Sequence, residues 1–221
     1  FSPTPPVRTF RAFMLSAPED ADLLDAANWT RSNALTIQRA WLNTRNEEWL
    51  EGNAVVTPAG MIADILRVES HPAIGAPFVL PGAAASIPRF EVAARIEISA
   101  DGRTASFDPA RGFLHFIGSE SKFTIRFDPV SRRYWSLGSK ITNPHSGYAW
   151  LYTPHHQRNV LSLTSSADLS LWEECCRLLR YQTPHLIKLV ACFATLGQSH
   201  ALPKYGVQFK AAFALADWPS F

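Results

Sequence analysis

The stretch Glu91–Phe107, EVAARIEISADGRTASF, decides the fold class. Val92, Ala94, Ile96 and Ile98 alternate with Glu91, Ala93, Arg95 and Glu97. A period of two puts one set on the buried face of a strand and the other on a wet face. Ala100-Asp101-Gly102-Arg103 then supplies turn residues and Thr104–Phe107 returns, which predicts a β-hairpin. The same pattern recurs downstream in KFTIRFDPVSRRYWSL, Lys122–Leu137. Phe123, Ile125 and Phe127 line one face there. Asp128-Pro129-Val130-Ser131 turns the chain, because proline fixes φ and aspartate accepts turn amides, and Arg133–Leu137 returns. Upstream, Asn53–Val56 and Met61–Val68 flank the turn Thr57-Pro58-Ala59-Gly60. Val160–Leu163 and the residues around Trp172 offer a fourth hairpin, although Leu169, Trp172, Cys176 and Leu179 also fit a helical stripe. Asp20–Asn28 predicts a helix of about two turns. Hairpins at such intervals define an all-β repeat architecture, either propeller or sandwich.

Composition narrows the function classes. With 221 residues, 47% hydrophobic and 18% charged, the chain can build a real core and is not of the disordered class. No apolar run reaches the roughly 18–20 residues of a membrane span; the longest, Leu186–Leu196, carries Lys188. Net charge is +2 with no block of like charges, so a nucleic-acid partner is not expected. Cys175, Cys176 and Cys192 form neither a disulfide framework nor a zinc-ligand pattern, and the histidines are scattered. There is no phosphate-binding glycine loop and no G-x-S-x-G. No metal and no cofactor are expected.

Four stretches carry a resemblance: FRAFMLSAPEDADLLDAANWTRSN (Phe10–Asn33), WLEGNAVVTPAGMIADILRVES (Trp49–Ser70), Lys122–Leu137, and RNVLSLTSSADLSLWE (Arg158–Glu173). In this order they resemble the sialidase-like proteins, six-bladed β-propeller exo-glycosidases with Asp-box repeats. A propeller blade is a four-stranded antiparallel sheet of roughly 40–50 residues. The resemblance therefore implies an incomplete β-propeller of about three to four blades in residues 1–182. Residues 183–221 read as a divergent tail of different texture. The start at Phe1 and the fading of the likeness near residue 183 imply a partial chain. Apolar residues of the tail would then lack a designed partner, which predicts self-association. The activity implied is hydrolysis of a terminal sialic acid or related acidic sugar, with a glycan as partner. A non-catalytic carbohydrate-binding propeller is the alternative. A second alternative is a five-bladed glycosidase, because SADLSLWE (Ser166–Glu173) also resembles a strand of arabinanase- and fructosidase-like proteins.

The resemblance assigns candidate residues. Glu51 and Arg67 flank the Thr57–Gly60 turn, so a hairpin brings them to one rim. Glu51 would serve as the base for a tyrosine nucleophile, which spares an anionic sugar a negatively charged attacker. Arg67 would bind the sugar carboxylate through its planar fork. The competing reading is a cross-strand ion pair of little energetic weight. Arg158 is a further candidate for anion binding, or a surface charge at a strand start. Tyr134 is a candidate sugar platform or nucleophile; Trp135 beside it must face the other way, so one of the two belongs to the core. Ser166, Asp168 and Trp172 resemble the Asp box, with Ser170 where a glycine is expected, and are assigned a structural role. Asp20, Asp22 and Asp25 stand where the family has its acid/base aspartate, but also fit a helix start.

Overall fold

Hairpin after hairpin, the chain builds antiparallel sheets. The computed structural model describes residues 10–42, 47–70, 77–79, 86–142, 157–180, 200–202 and 207–210. Its strands are β1 (Leu15–Pro18), β2 (Thr30–Arg31), β3 (Glu47–Val56), β4 (Ile62–Ser70), β5 (Pro77–Val79), β6 (Ser86–Pro88), β7 (Val92–Ile98), β8 (Ala105–Ser106), β9 (Phe113–His115), β10 (Phe123–Asp128), β11 (Arg133–Ser139), β12 (Val160–Ser166), β13 (Glu173–Arg180), β14 (His200–Leu202) and β15 (Val207–Lys210). Helix appears among the described residues only as short 3-10 turns. The class is all-β, as the alternation predicted.

Three sheets make up the body. One runs β14-β15-β1-β2, the next β3-β4-β7-β8 with β9 also on β7, and the last β10-β11-β12-β13; β5 and β6 form a separate ribbon. The edge strands β14, β3 and β10 lie beside one another. All four expected hairpins are present, with turns at Thr57–Met61, Ser99–Thr104, Asp128–Arg133 and between β12 and β13. Part of the expected tail joins the body: β14 and β15 extend the sheet that β1 and β2 begin, with Leu15 opposite Lys210.

The middle sheet is buried on both faces, and this corrects the one-sided reading of β7. Ile62, Leu66, Val68, Val92, Ala94 and Ile96 pack in one cluster with Met14 and Trp49. Ala63, Ile65 and Ala93 face the other way, into a cluster with Phe123, Ile125, Tyr134 and Trp172. The second face of β7 is therefore a seam between sheets, with only Glu97 exposed. Each fully buried aliphatic side chain contributes about 1.5–3 kcal/mol.

Each seam is pinned by an asparagine that acts like a piece of strand. Asn53 donates to the Phe123 carbonyl at 3.0 Å and accepts from the Ile125 amide at 3.2 Å. Asn33 donates to the Ala105 carbonyl at 3.0 Å and accepts from the Ala105 amide at 2.7 Å. A carboxamide carries one donor and one acceptor side by side, so it can satisfy a backbone pair across a gap between sheets.

Two local expectations are corrected. Asp20–Asn28 does not make two helical turns. Asp22 and Asp25 accept the Leu24 and Ala27 amides, each at 2.9 Å, leaving one 3-10 turn at Ala26–Asn28. Short acidic side chains compete for the amides a helix would use. The stripe Leu169–Leu179 is not a helix either, but a turn leading into β13. The Ser166 hydroxyl accepts the Leu169 amide at 3.0 Å, while Asp168 Oδ1 accepts those of Ser170 (2.8 Å) and Leu171 (3.1 Å). Leu169 takes φ 66°, outside the right-handed helical region, yet is fully buried. Trp172 donates to the Leu169 carbonyl at 3.3 Å and packs on Phe116, with ring centroids 4.6 Å apart. The structural role expected for Ser166, Asp168 and Trp172 fits this geometry. Asp168→Ala is expected to cost about 1–2 kcal/mol by releasing two turn amides; urea denaturation with an unchanged slope checks it.

Candidate functional site

Strand polarity sorts the connections into two ends. The tight turns Thr57–Met61, Ser99–Thr104, Asp128–Arg133 and the Asp168 turn lie at one end. At the opposite end lie Ser70 and Glu91, and Lys140 and Asn159, each pair joined by a long stretch of sequence. That end also carries the 116–122 link from β9 to β10. Long loops on a rigid scaffold are where binding residues concentrate.

Glu51 and Arg67 meet at that end. A bulge in β3 between Trp49 and Gly52 inserts one extra residue and turns Glu51 toward the third sheet. Arg67, on β4, points the same way. Its Nη1 donates to Glu51 Oε2 at 3.1 Å, and its Nε donates to the Glu120 carbonyl at 2.9 Å. Lys122 Nζ lies 3.1 Å from the other Glu51 oxygen. Arg67 is buried, with its side chain 7% exposed, whereas Glu51 (31%) and Lys122 (36%) reach water. Burial pushes the Glu51 carboxyl up, but Arg67 first and then its own backbone amide and Lys122 outweigh that, so it titrates below its ordinary range. At neutral pH the site is a carboxylate clamped between two cations. It can accept a proton or a hydroxyl hydrogen bond on its exposed side, with Lys122 as the water-facing cation beside it.

The hairpin reading brought Glu51 and Arg67 together; it missed Lys122 and Glu120. Both stand about 70 residues from Glu51 in sequence, and no local pattern pairs them. Arg158, half-buried, precedes β12 and lies at the long-loop end by strand polarity. Tyr134 is not placed as a sugar platform. It is 2% exposed, in the core cluster, and its ring packs against Phe127 at a tilt of 52°, with centroids 4.9 Å apart. Trp135 takes the outward face, its indole donating to Ser131 at 3.0 Å. The alternation on β11 placed one of the pair in the core, and the sheet chose the tyrosine because that face meets the middle sheet.

A second acid lies buried behind the site. Asp64, on the opposite face of β4 from Arg67, is 5% exposed, and its Oδ1 has no hydrogen-bond partner among the described residues. Gly52 makes room for it: a Cβ there would collide with Asp64 Oδ1 and come within 2.6 Å of Leu66 Cδ2. Burial pushes the Asp64 carboxyl up to about 7. Among the described residues no group of three or more histidine, cysteine, aspartate or glutamate side chains could hold a metal ion. No helix among them is long and apolar enough to cross a membrane.

No family model, no curated protein and no solved structure matches this chain.

Proposed function

We propose that the chain is part of a β-propeller of the sialidase type, and that it handles a terminal acidic sugar at its long-loop end as an exo-glycosidase. The observation that carries this reading is the Glu51–Arg67 pair, brought together across the β3–β4 hairpin beside Lys122. The propeller reading is supported by three successive antiparallel sheets whose edge strands β14, β3 and β10 lie together, as inner blade strands do. In this reading Arg67 positions Glu51, Lys122 attracts the sugar carboxylate, and Glu51 moves the proton. The burial of Tyr134 favours a second reading in which the same face binds the sugar without cleaving it.

The test is hydrolysis of a fluorogenic sialoside, with binding of free sialic acid followed by tryptophan fluorescence. Glu51→Gln is expected to lower the rate by about 10²–10⁴-fold while leaving binding near wild type. Binding without hydrolysis selects the non-catalytic reading. Neither binding nor hydrolysis by the folded chain overturns both.

A further inference from the structure

Strand β13, EECCRLLR, is an open edge among the described residues. β12 pairs with one side of it, and among the described residues no strand pairs with the other. Its middle is accessible: Cys175, Cys176, Leu178 (49%) and Leu179 (44%), which flank Arg177, are exposed. An exposed apolar edge is a template for another strand. Its charges are ordered, with Glu173 and Glu174 at the start and Arg177 and Arg180 toward the end.

We propose that β13 is a self-complementary dimerisation edge, pairing antiparallel with β13 of a second copy about a two-fold axis between Cys176 and Arg177. The register sets Glu173 opposite Arg180 of the second copy, and Arg180 opposite Glu173 of the second copy. Cys175 falls opposite Leu178 of the second copy, and Glu174 opposite its Leu179. Two oppositely charged pairs thus close the ends, with Cys176 opposite Arg177 of the second copy at the axis, and a C2 interface requires that self-complementarity. The bulges agree with this register. Against β12, Cys175 and Leu178 are the residues of β13 without a ladder partner. They stand symmetrically about the proposed axis, so the bulge of one copy meets the bulge of the other and the local twists match. A parallel arrangement would instead set like charges side by side. The pairing uses the outer rim of the sheet and leaves the long-loop end open, so it stands or falls independently of the glycosidase reading.

The test is light scattering on the 221-residue chain under reducing conditions. The wild-type chain is expected to be dimeric. Arg180→Glu should weaken the dimer by about tenfold, because each end then sets like charges opposite one another. Adding Glu173→Arg should restore it. Arg180→Glu is the informative single change, since Glu173 also lies 3.4 Å from Arg133 of its own chain. A second measurement uses the Cys192→Ser chain, in which a short bismaleimide is expected to join two copies through Cys175 or Cys176. A monomeric wild type, a dimer indifferent to Arg180→Glu, a double variant that stays weak, or no crosslink each overturns the proposal. Association that survives every β13 substitution assigns it to other surfaces, the tail included.

Discussion

Asp64→Asn is expected to make the protein more stable than wild type at pH 8, with the gap shrinking to about 1 kcal/mol at pH 4.5. The Asp64 carboxyl is raised from 3.8 to about 7 on folding. A raised carboxyl means that the folded state binds a proton the unfolded chain has already lost, so stability falls as pH climbs from about 4 to about 7. The loss reaches about 4 kcal/mol above pH 7, at 1.36 kcal/mol for each unit of displacement. Below pH 4 both states are protonated and the penalty vanishes. The depressed carboxyls, Glu51 and Glu174 among them, act in the opposite sense. Their contribution is present once they ionise and is lost as pH falls through their folded-state values. Wild-type stability should therefore peak near pH 4–5 and decline toward neutrality, while the asparagine variant rises and then stays level. An amide of the same shape keeps the space over Gly52 filled and carries no charge. Thermal melts at the two pH values decide the point; a gap of roughly 10 °C at pH 8 corresponds to the expected difference. Equal melting temperatures at both would mean that Asp64 finds a partner or stays hydrated.

Asn53→Ala should shift stability by a comparable amount in the opposite direction. It strips the partner from the buried Phe123 carbonyl and Ile125 amide at once. An orphaned buried polar group costs about 1–3 kcal/mol, so a loss of about 2–4 kcal/mol is expected. Asn53→Asp is the sharper control. A carboxylate still accepts from the Ile125 amide but cannot donate to the Phe123 carbonyl, so it should rescue little. Asn33→Ala, at the other seam and only partly buried, should cost less. The two seams are separate, so the double variant should show additive losses in urea denaturation. A change below about 0.5 kcal/mol for Asn53→Ala would mean that the seam is held by apolar packing alone.

Both predictions rest on residues that the sequence does not advertise. Asn53 heads the apolar run Ala54–Val56 of β3, and Asp64 breaks the run IADIL. On alternation alone, each reads as a solvent-facing position of a two-faced sheet. They are buried because the middle sheet is covered on both sides, by β1 and its neighbours and by β10–β13. The candidate site shows the same division. Glu51 and Arg67 were legible because one hairpin joins them, and the bulge at Trp49–Gly52 then sets Glu51 on Arg67's face. Lys122, which completes the site, comes from the next sheet.

What the sequence determined by itself was local: the all-β class, the four hairpins and their turns. Those features depend on side-chain alternation and on turn residues a few positions apart, and they rest on short-range sterics and hydrogen bonds. The tertiary structure alone decided which faces are dry and which of Tyr134 and Trp135 is core. It also brought Lys122 to Glu51 and, among the described residues, left β13 as an open edge. The reason is physical. Burial and desolvation belong to the stack of sheets, and contacts between residues some 70 positions apart exist only once those sheets have met.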